Sequence, residues 1–255
     1  MRFKTSLGAN CLIPAPTANL PAVDRIDTLL FDFGGTLDLP GEHWLDRFLA
    51  HYRAAGWRIE RQELDPAFTW ATAQGYRATL AMRQCDLTAL VERLVQWQIE
   101  ELRARLPDRV PSGFEPAQII VPFCQASVAG MATSRLLLGD LALRFRLGIV
   151  SNFYGNLERL LADAGILELT TAIIDSSRVG VFKPDPRIFA LALQALGARA
   201  ERTLMVGDSL TKDCAPARTL GMKTAWVMGA RPASPAAGAD YLITGLADLR
   251  SLLEN

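Results

Sequence analysis

The sequence predicts an α/β protein built on a Rossmann-like, doubly wound parallel sheet, with an all-α segment inserted after the first strand. Several short apolar runs lack the alternation of half-exposed strands and are each followed by a helical pattern, which is typical of buried parallel strands. These runs lie at 27–33, 146–152, 171–176, 203–209 and 223–229, with a sixth at 239–244. Repeated strand–helix units place helices on both faces of such a sheet.

Amphipathic patterns predict the helices that cover this sheet. They are expected near 131–144, 154–164, 186–197, 212–220 and 246–254. Asp185-Pro186 offers a capping carboxylate followed by a proline at the first helical position, so a helix is expected to begin there.

The segment between the first two strands has a different character. Residues 40–128 carry apolar stripes at helical spacing and no convincing strand, which indicates a helical module. Two such stripes are Trp44/Phe48/Tyr52 and Leu87/Leu90/Leu94. Core packing explains these stripes better than a substrate pocket does. The Pro/Gly-rich stretch at 106–116 predicts a loop between helices of the module.

Composition and charge argue against several classes of protein. The 255 residues carry 27 basic and 27 acidic side chains, and no basic run indicates a nucleic-acid groove or an anionic membrane surface. No apolar stretch approaches the roughly 20 residues of a membrane-spanning helix. Four cysteines without paired spacing fit reduced thiols, so we expect a cytoplasmic protein. Residues 1–24 form a Pro/Ala-rich arm that lacks the hydrophobic core of a signal peptide.

Polar side chains follow the predicted strands at the points where the strands end. These are Asp32 after the first strand, Ser151-Asn152 after the second, Lys183 on the loop after the third, and Asp208-Ser209 after the fourth. Ligands of doubly wound sheets bind beyond the carboxyl ends of the strands, so we expect these side chains to converge there. Two neighbouring carboxylates repel unless a cation separates them, which favours a hard ion such as Mg²⁺.

The order of these residues resembles the haloacid dehalogenase-like (HAD) hydrolase superfamily over residues 26–250. The four motifs of that family are Asp-x-Asp-Gly-Thr, an apolar strand ending in Ser or Thr, a lysine often within Lys-Pro-x-Pro, and Gly-Asp-Ser-x-x-x-Asp. They are matched here by Asp32 to Thr36, by Ser151, by Lys183, and by Gly207 to Asp213. The helical module resembles the family's cap, which implies a core of residues 25–39 and 129–255 and a cap of residues 40–128.

The resemblance implies a hydrolase of the phosphatase type that acts on a small phosphorylated metabolite. Asp32 would attack phosphorus and become an aspartyl-phosphate, which splits one displacement into two. Lys183 would offset the charge of the transferring group, and Ser151 would hold its oxygens.

The resemblance also implies a metal site and contacts to the substrate. Mg²⁺ would be held by Asp32, the Gly34 carbonyl and Asp208, supported by Asp213 and Ser209. The residues expected on the substrate side are Thr36, which also steadies the loop, Gly35, whose amide approaches the phosphate, Asn152 and His43.

Gly34 departs from the family pattern. Most phosphatases of the family carry at this position an Asp that protonates the leaving oxygen and then activates water, and general acid–base catalysis contributes about 10²–10⁴-fold. One interpretation is a phosphatase that lacks the group, or replaces it with Asp38 or His43, and prefers acyl or aryl phosphates. The others are a metal-independent haloacid dehalogenase, and a catalytically weak protein that binds a phosphorylated ligand or a protein partner.

Other residues bear on these alternatives. Haloacid dehalogenases of the family usually have Tyr at the position of Gly34 and do not keep Gly-Asp-Ser, whereas Asp208 is present here. Phosphonoacetaldehyde hydrolases need a cap lysine, and residues 5–182 contain none. Retention of Asp32, Ser151 and Lys183 favours an enzyme over a binding protein.

Overall fold

The computed structural model describes residues 26–230 and 238–254; the predicted arm at 1–24 and Cys11 lie outside the described residues. Within them, six parallel strands form one sheet in the order β3-β2-β1-β4-β5-β6. The strands are β1 Thr28–Phe31, β2 Arg146–Ser151, β3 Ala172–Asp175, β4 Thr203–Gly207, β5 Lys223–Val227 and β6 Tyr241–Ile243. Each lies within one of the predicted apolar runs, so the parallel sheet is confirmed.

The first strand lies at the centre of the sheet, where the strand order reverses. Phe31 of β1 is level with Ile149 of β2 on one side and with Val206 of β4 on the other. The amide of Asp32 continues this register and donates to the Val206 carbonyl at 2.9 Å. The residues that follow these three strands therefore meet at one edge of the sheet, at a topological switch point where ligands of such folds bind.

A helical cap follows the first strand, as the apolar stripes predict. Its helices are α1 Trp44–Ala54, α2 Arg61–Arg77, the short α3 Thr79–Met82 and α4 Leu87–Arg105. The two stripes of α1 and α4 are buried, which confirms their packing role, although Trp44 has a second role described below. Residues 106–116 connect α4 to the next helix and contain one short 3₁₀ turn, Pro107–Arg109.

A single helix of 26 residues, α5 (Ala117–Ala142), links the cap to the sheet. The helix predicted at 131–144 is only its second half. Phe123 stacks on Phe48 of the cap at 4.3 Å between ring centroids, whereas Leu138 is buried in the cluster that covers β1 and β2. The proposed boundary between residues 128 and 129 therefore falls inside a continuous helix.

The remaining helices cover both faces of the sheet. They are α6 Leu157–Asp163, α7 Ser176–Val179, α8 Arg187–Leu196, α9 Ala215–Thr219, preceded by a π-helical turn at Leu210–Cys214, and α10 Asp248–Leu253. Leu30 faces α8, while Leu29 and Phe31 point to the opposite face, as the alternation of a strand requires. Helix α8 begins one residue later than predicted, and Asp185 still accepts from the Arg187 amide at 2.9 Å.

Among the described residues, the helices are all too short or too polar to cross a membrane. The described cysteines, Cys85, Cys124 and Cys214, are free thiols, in agreement with the reading of their spacing.

Candidate active site

The carboxylate of Asp32 lies at the centre of the site, because β1 ends one residue before it. Its Oδ1 accepts from the Ser151 hydroxyl at 2.8 Å and from the Lys183 ammonium at 2.6 Å. Asp32 is only 5% exposed. The ends of β1 and β2 and the loop after β3 therefore meet at one carboxylate oxygen, as their positions in the sequence predict.

The Lys183 ammonium bridges two acids. Nζ lies 2.6 Å from Asp32 Oδ1 and 2.6 Å from Asp213 Oδ1. Burial alone would lower the pKa of Lys183, but the two carboxylates outweigh it and raise the pKa, so the side chain stays charged. Asn152 fixes the backbone behind it, since its amide nitrogen donates to the Lys183 carbonyl and its amide oxygen accepts from the Lys183 N–H.

Three buried acids form a cluster that fits a divalent cation. Carboxylate oxygens of Asp32, Asp208 and Asp213 lie within 4.8 Å of one another. Burial raises the pKa of Asp213 to about 6, an effect that Lys183 opposes and Asp32 reinforces. A cluster of three carboxylates and one ammonium offers oxygen ligands and excess negative charge, which suits Mg²⁺. The Ser209 amide supports the cluster by donating to Asp213 Oδ2 at 3.0 Å.

Two glycines leave room for these carboxylates. A Cβ on Gly35 would lie 2.7 Å from Asp208 Oδ2, and a Cβ on Gly207 would lie 2.4 Å from Asp213 Oδ2. Gly35 also has a φ of +80°, which disfavours other residues. Any larger residue at either position would push an acid out of the cluster.

The acids open into a pocket that is continuous with solvent. We call one side the charged floor, formed by Asp32, Ser151, Lys183, Asp208 and Asp213. We call the other side the aromatic wall, formed by Trp44 of α1, Phe68 and Tyr76 of α2, and Phe153 and Tyr154 after β2. His43, Thr72, Asn152, Ser209 and Lys212 complete the lining, together with Gly34.

Trp44 occupies the space next to Gly34. A Cβ on Gly34 would lie 3.3 Å from the indole Nε1, which is tighter than most contacts of real Cβ atoms. The indole is held in place because Nε1 donates to Asp38 Oδ2 at 2.7 Å and its ring packs edge-on against Phe123 and Phe153. A larger side chain at position 34 would have to displace this ring.

Asp38 does not replace the acid that is missing at position 34. Of the two replacements that the sequence suggested, Asp38 and His43, the first is therefore corrected. Its carboxylate is fully buried and lies 2.5 Å from the Arg47 guanidinium, in addition to its bond from Trp44. Its other oxygen accepts from the Gly35 amide at 2.7 Å. Asp38 therefore fastens helix α1 of the cap to the loop after β1, and it has no role as an acid toward the pocket.

His43 lines the pocket but is poorly suited to acid–base catalysis. Its Nδ1 caps α1 by accepting from the Leu45 amide at 3.2 Å. Burial, assisted by the nearby Lys212 ammonium, lowers the pKa of His43, so the neutral ring carries its proton on Nε2. A neutral ring in this tautomer donates a hydrogen bond, but it has no free lone pair with which to act as a base.

Other expected residues have different surroundings. Thr36 is fully buried away from the pocket lining, and the Gly35 amide donates to Asp38. Asn152 and Ser209 line the pocket, and their side chains bond to backbone atoms of Lys183 and Lys212 and to the Thr211 hydroxyl. These bonds support the loops of the site.

Sequence reasoning missed most of the aromatic wall. Phe153 and Tyr154 directly follow Ser151-Asn152, so their position after a strand was a usable signal. Phe68 and Tyr76 are eight residues apart on one helix, which core packing would explain equally well. Trp44 was assigned to the core on the same ground, and its contact with Gly34 has no signature in the sequence.

The parallel sheet, the inserted cap and the acids at the strand ends define a capped, Rossmann-like hydrolase. The chain belongs to the haloacid dehalogenase-like hydrolase family, whose sequence model matches residues 26–221. The predicted family and enzyme class are thereby confirmed.

Curated relatives of the chain include phosphatases. It is 28% identical to a phosphoserine phosphatase of Thermus thermophilus over 246 residues, which cover 89% of this chain and 96% of that protein. It is 42% identical to a glyceraldehyde 3-phosphate phosphatase of Pyrococcus furiosus over 79 residues, 29% of this chain and 33% of that protein. These relatives support a phosphatase-like hydrolase.

Solved structures share the fold at low identity. The magnesium-bound HAD-hydrolase YfnB of Bacillus subtilis has a TM-score of 0.55 and 21% identity, with 91% of this chain and 100% of that chain covered. The L-2-haloacid dehalogenase of Xanthobacter autotrophicus has a TM-score of 0.55 and 19% identity, with 90% and 99% covered. These likenesses concern the fold alone.

Proposed function

We propose that the protein is a Mg²⁺-dependent phosphatase that acts on a small phosphorylated metabolite through an aspartyl-phosphate on Asp32. The observation that supports this most is the convergence of Ser151 and Lys183 on Asp32 Oδ1 within a cluster of three acids. Two hydrogen bonds to one oxygen orient the carboxylate, so that Oδ2 is the oxygen that attacks phosphorus.

The chain's own residues prepare and stabilise this reaction. Lys183 lies beside the nucleophile with its charge maintained by two carboxylates, so it offsets negative charge on the transferring group. The Ser151 hydroxyl would turn from Asp32 Oδ1 to a phosphoryl oxygen once phosphate reaches the site, while Lys183 keeps the carboxylate oriented. Asp32, Asp208 and the Gly34 carbonyl would hold Mg²⁺, with Asp213 and Ser209 behind them. The ion supplies further charge neutralisation at the phosphoryl oxygens.

The second candidate function is binding of a phosphorylated ligand with little turnover. The contact between Trp44 and Gly34 favours it, because even a Cβ at the position of the usual acid–base residue would lie 3.3 Å from the indole. A metal-independent dehalogenase is less well supported, since a single ammonium, that of Lys183, would then face three buried carboxylates.

One experiment separates these functions. Phosphate release is measured across a panel of phosphorylated metabolites, with and without Mg²⁺, for the wild type, Asp32→Asn and the exposed control Asp163→Asn. We expect Mg²⁺-dependent release that Asp32→Asn reduces on the order of 10³-fold or more, while Asp163→Asn retains it. Binding of phosphorylated compounds without release would support the second candidate, and halide release without metal would support the dehalogenase.

A further inference from the structure

The cap contributes a wall of rings to the pocket and no formal charge. The cap residues in the lining are His43, Trp44, Phe68, Thr72 and Tyr76. None of these five is an Asp, Glu, Lys or Arg, and the lowered pKa of His43 keeps that ring neutral. A leaving group with its own carboxylate, ammonium or second phosphate would find no charged partner among these cap residues; the Lys212 ammonium, which lines the pocket near His43, belongs to the segment after β4.

The rings of the wall are packed against one another and held in fixed orientations. Tyr76 and Tyr154 lie 5.2 Å apart between ring centroids, and Tyr76 also contacts Phe182 at 4.9 Å. Trp44 packs against Phe153 at 5.9 Å. Aromatic rings held in this way favour a flat ring packed against them, because aromatic pairs contribute energy beyond the area that they bury.

In addition, among the residues that the structure describes, the three positions considered for an acid at the leaving oxygen do not supply one. Position 34 is glycine, Asp38 is bonded to Arg47 and Trp44, and the His43 tautomer is fixed by its cap. The oxygen must therefore leave as an anion. A phenolate is a suitable leaving group, since phenols such as the tyrosine side chain have a pKa of about 10, whereas an alkoxide is far more basic.

We propose that the substrate is a phosphate monoester of a phenol or a related aromatic hydroxyl compound, with its ring against the aromatic wall and its phosphate on the charged floor. This inference rests on the proposed function and specifies its substrate class. Two independent features support it, the composition of the wall and the lack of an acid at position 34.

The reaction balances without an acid. The bond from an Asp32 oxygen to phosphorus forms while the bond from phosphorus to the aryl oxygen breaks, and its electron pair leaves on the phenolate, which takes a proton from solvent. Water then attacks the phosphorus, the bond between the Asp32 oxygen and phosphorus breaks, and inorganic phosphate leaves with the oxygen and one proton of that water, while the other proton goes to solvent and replaces the one that the phenolate took. Because Gly34 has no side chain that could activate the water, we expect the second step to be slow and phenol to be released in a burst.

The test compares phenyl and cyclohexyl groups, which match in size but differ in aromaticity and leaving ability. With Mg²⁺ present, equilibrium binding is measured for phenylphosphonate and cyclohexylphosphonate, and turnover for the two corresponding phosphate esters. We expect phenylphosphonate to bind about tenfold more tightly and phenyl phosphate to react at least ~10²-fold faster. Phe68→Leu and Tyr76→Leu should each reduce the binding preference about threefold.

Trp70→Leu is the matched control, because Trp70 lies on the same helix as Phe68 but is 43% exposed and outside this pocket. It should leave the preference unchanged. Equal binding of the two phosphonates, or a preference unaffected by Phe68→Leu and Tyr76→Leu, would overturn the inference. If wild type hydrolyses both esters equally and Asp32→Asn neither, the proposed function holds and the aromatic substrate class is wrong. If phenylphosphonate is preferred but neither ester is hydrolysed, the proposed function fails instead.

Discussion

The charged floor and the aromatic wall of the pocket differ in what determines their positions. Asp32, Ser151 and Asp208 lie at or just after strand ends, so the register of the parallel sheet places them, and Lys183 and Asp213 lie on the segments that follow β3 and β4. Three of the five wall residues belong to the cap, and their positions depend on how α1 and α2 pack. The comparison shows that the sheet fixes the groups that react, whereas the inserted helices decide which molecule reaches them.

One residue connects the two regions. Asp38 follows the loop after β1 and bonds Trp44 and Arg47 of α1, and the Arg47 guanidinium also donates to the Ser127 hydroxyl on α5 at 2.7 Å. The same helix α1 carries a second ion pair, Asp46 with Arg61, whose side chains are each more than half exposed. Removing the acid of each pair in turn measures how much the Asp38 connection contributes to the stability of the protein.

The largest effect is expected for Asp38→Asn, which weakens the connection between helix α1 of the cap and the loop after β1. It removes the charge partner of Arg47, which is only 3% exposed, and leaves that guanidinium buried without compensation. We expect a loss of about 3–5 kcal/mol in the free energy of unfolding, measured with urea. Asp46→Asn removes the exposed pair of the same helix and should cost at most about 1 kcal/mol. Similar losses for the two variants would show that Asp38 is not the connection.

The next effect concerns the contact between Trp44 of the aromatic wall and Gly34. Gly34→Asp alone should not improve hydrolysis of an alkyl phosphate, because the Trp44 indole occupies the space next to Gly34. With Trp44→Leu added, the acid gains room, and we expect kcat/KM on the alkyl ester to rise about tenfold over Gly34→Asp, part of what a positioned acid supplies. Trp57→Leu is the control for the second substitution, because it also removes a buried tryptophan of the cap. An equal gain from Trp57→Leu would contradict this account.

The smallest effect is a pH dependence of stability that is caused by His43, a cap residue of the pocket lining. Burial and Lys212 lower the pKa of His43 in the folded protein, so the folded state binds fewer protons than the unfolded state below about pH 6.5. The contribution of His43 to stability is therefore present above that pH and lost as the pH falls. His43→Asn retains a capping acceptor without titrating.

The measurement is the free energy of unfolding at pH 7.5 and at pH 5.5. We expect the wild type to lose more stability over this interval than His43→Asn does. Some dependence should remain in the variant, since burial also lowers the pKa of His51, with Arg47 adding to the effect. Identical losses in the two proteins would mean that His43 is not shifted by the pocket.

The sequence predicts the floor better than the wall for a physical reason. A carboxylate after an apolar run is placed by local geometry, which is how Asp32 and Asp208 could be recognised. The packing of Trp44 beside Gly34 depends on the angle between a helix and a loop, and periodicity contains no information about that angle. Periodicity likewise does not show whether adjacent helical segments are joined, so the continuity of α5 could not be foreseen.

The continuity of α5 has a mechanical consequence. The chain enters the cap through residues 39–43, but it returns to the sheet inside an unbroken helix whose backbone at Gly130 lies so close to the Asp38 carbonyl that a Cβ there would overlap it. A swing of the cap would therefore have to bend this helix between Ser127, which is bonded to α1, and Leu138, which packs on the sheet. The width of the pocket entrance then depends on the bending stiffness of α5 more than on the flexibility of residues 39–43.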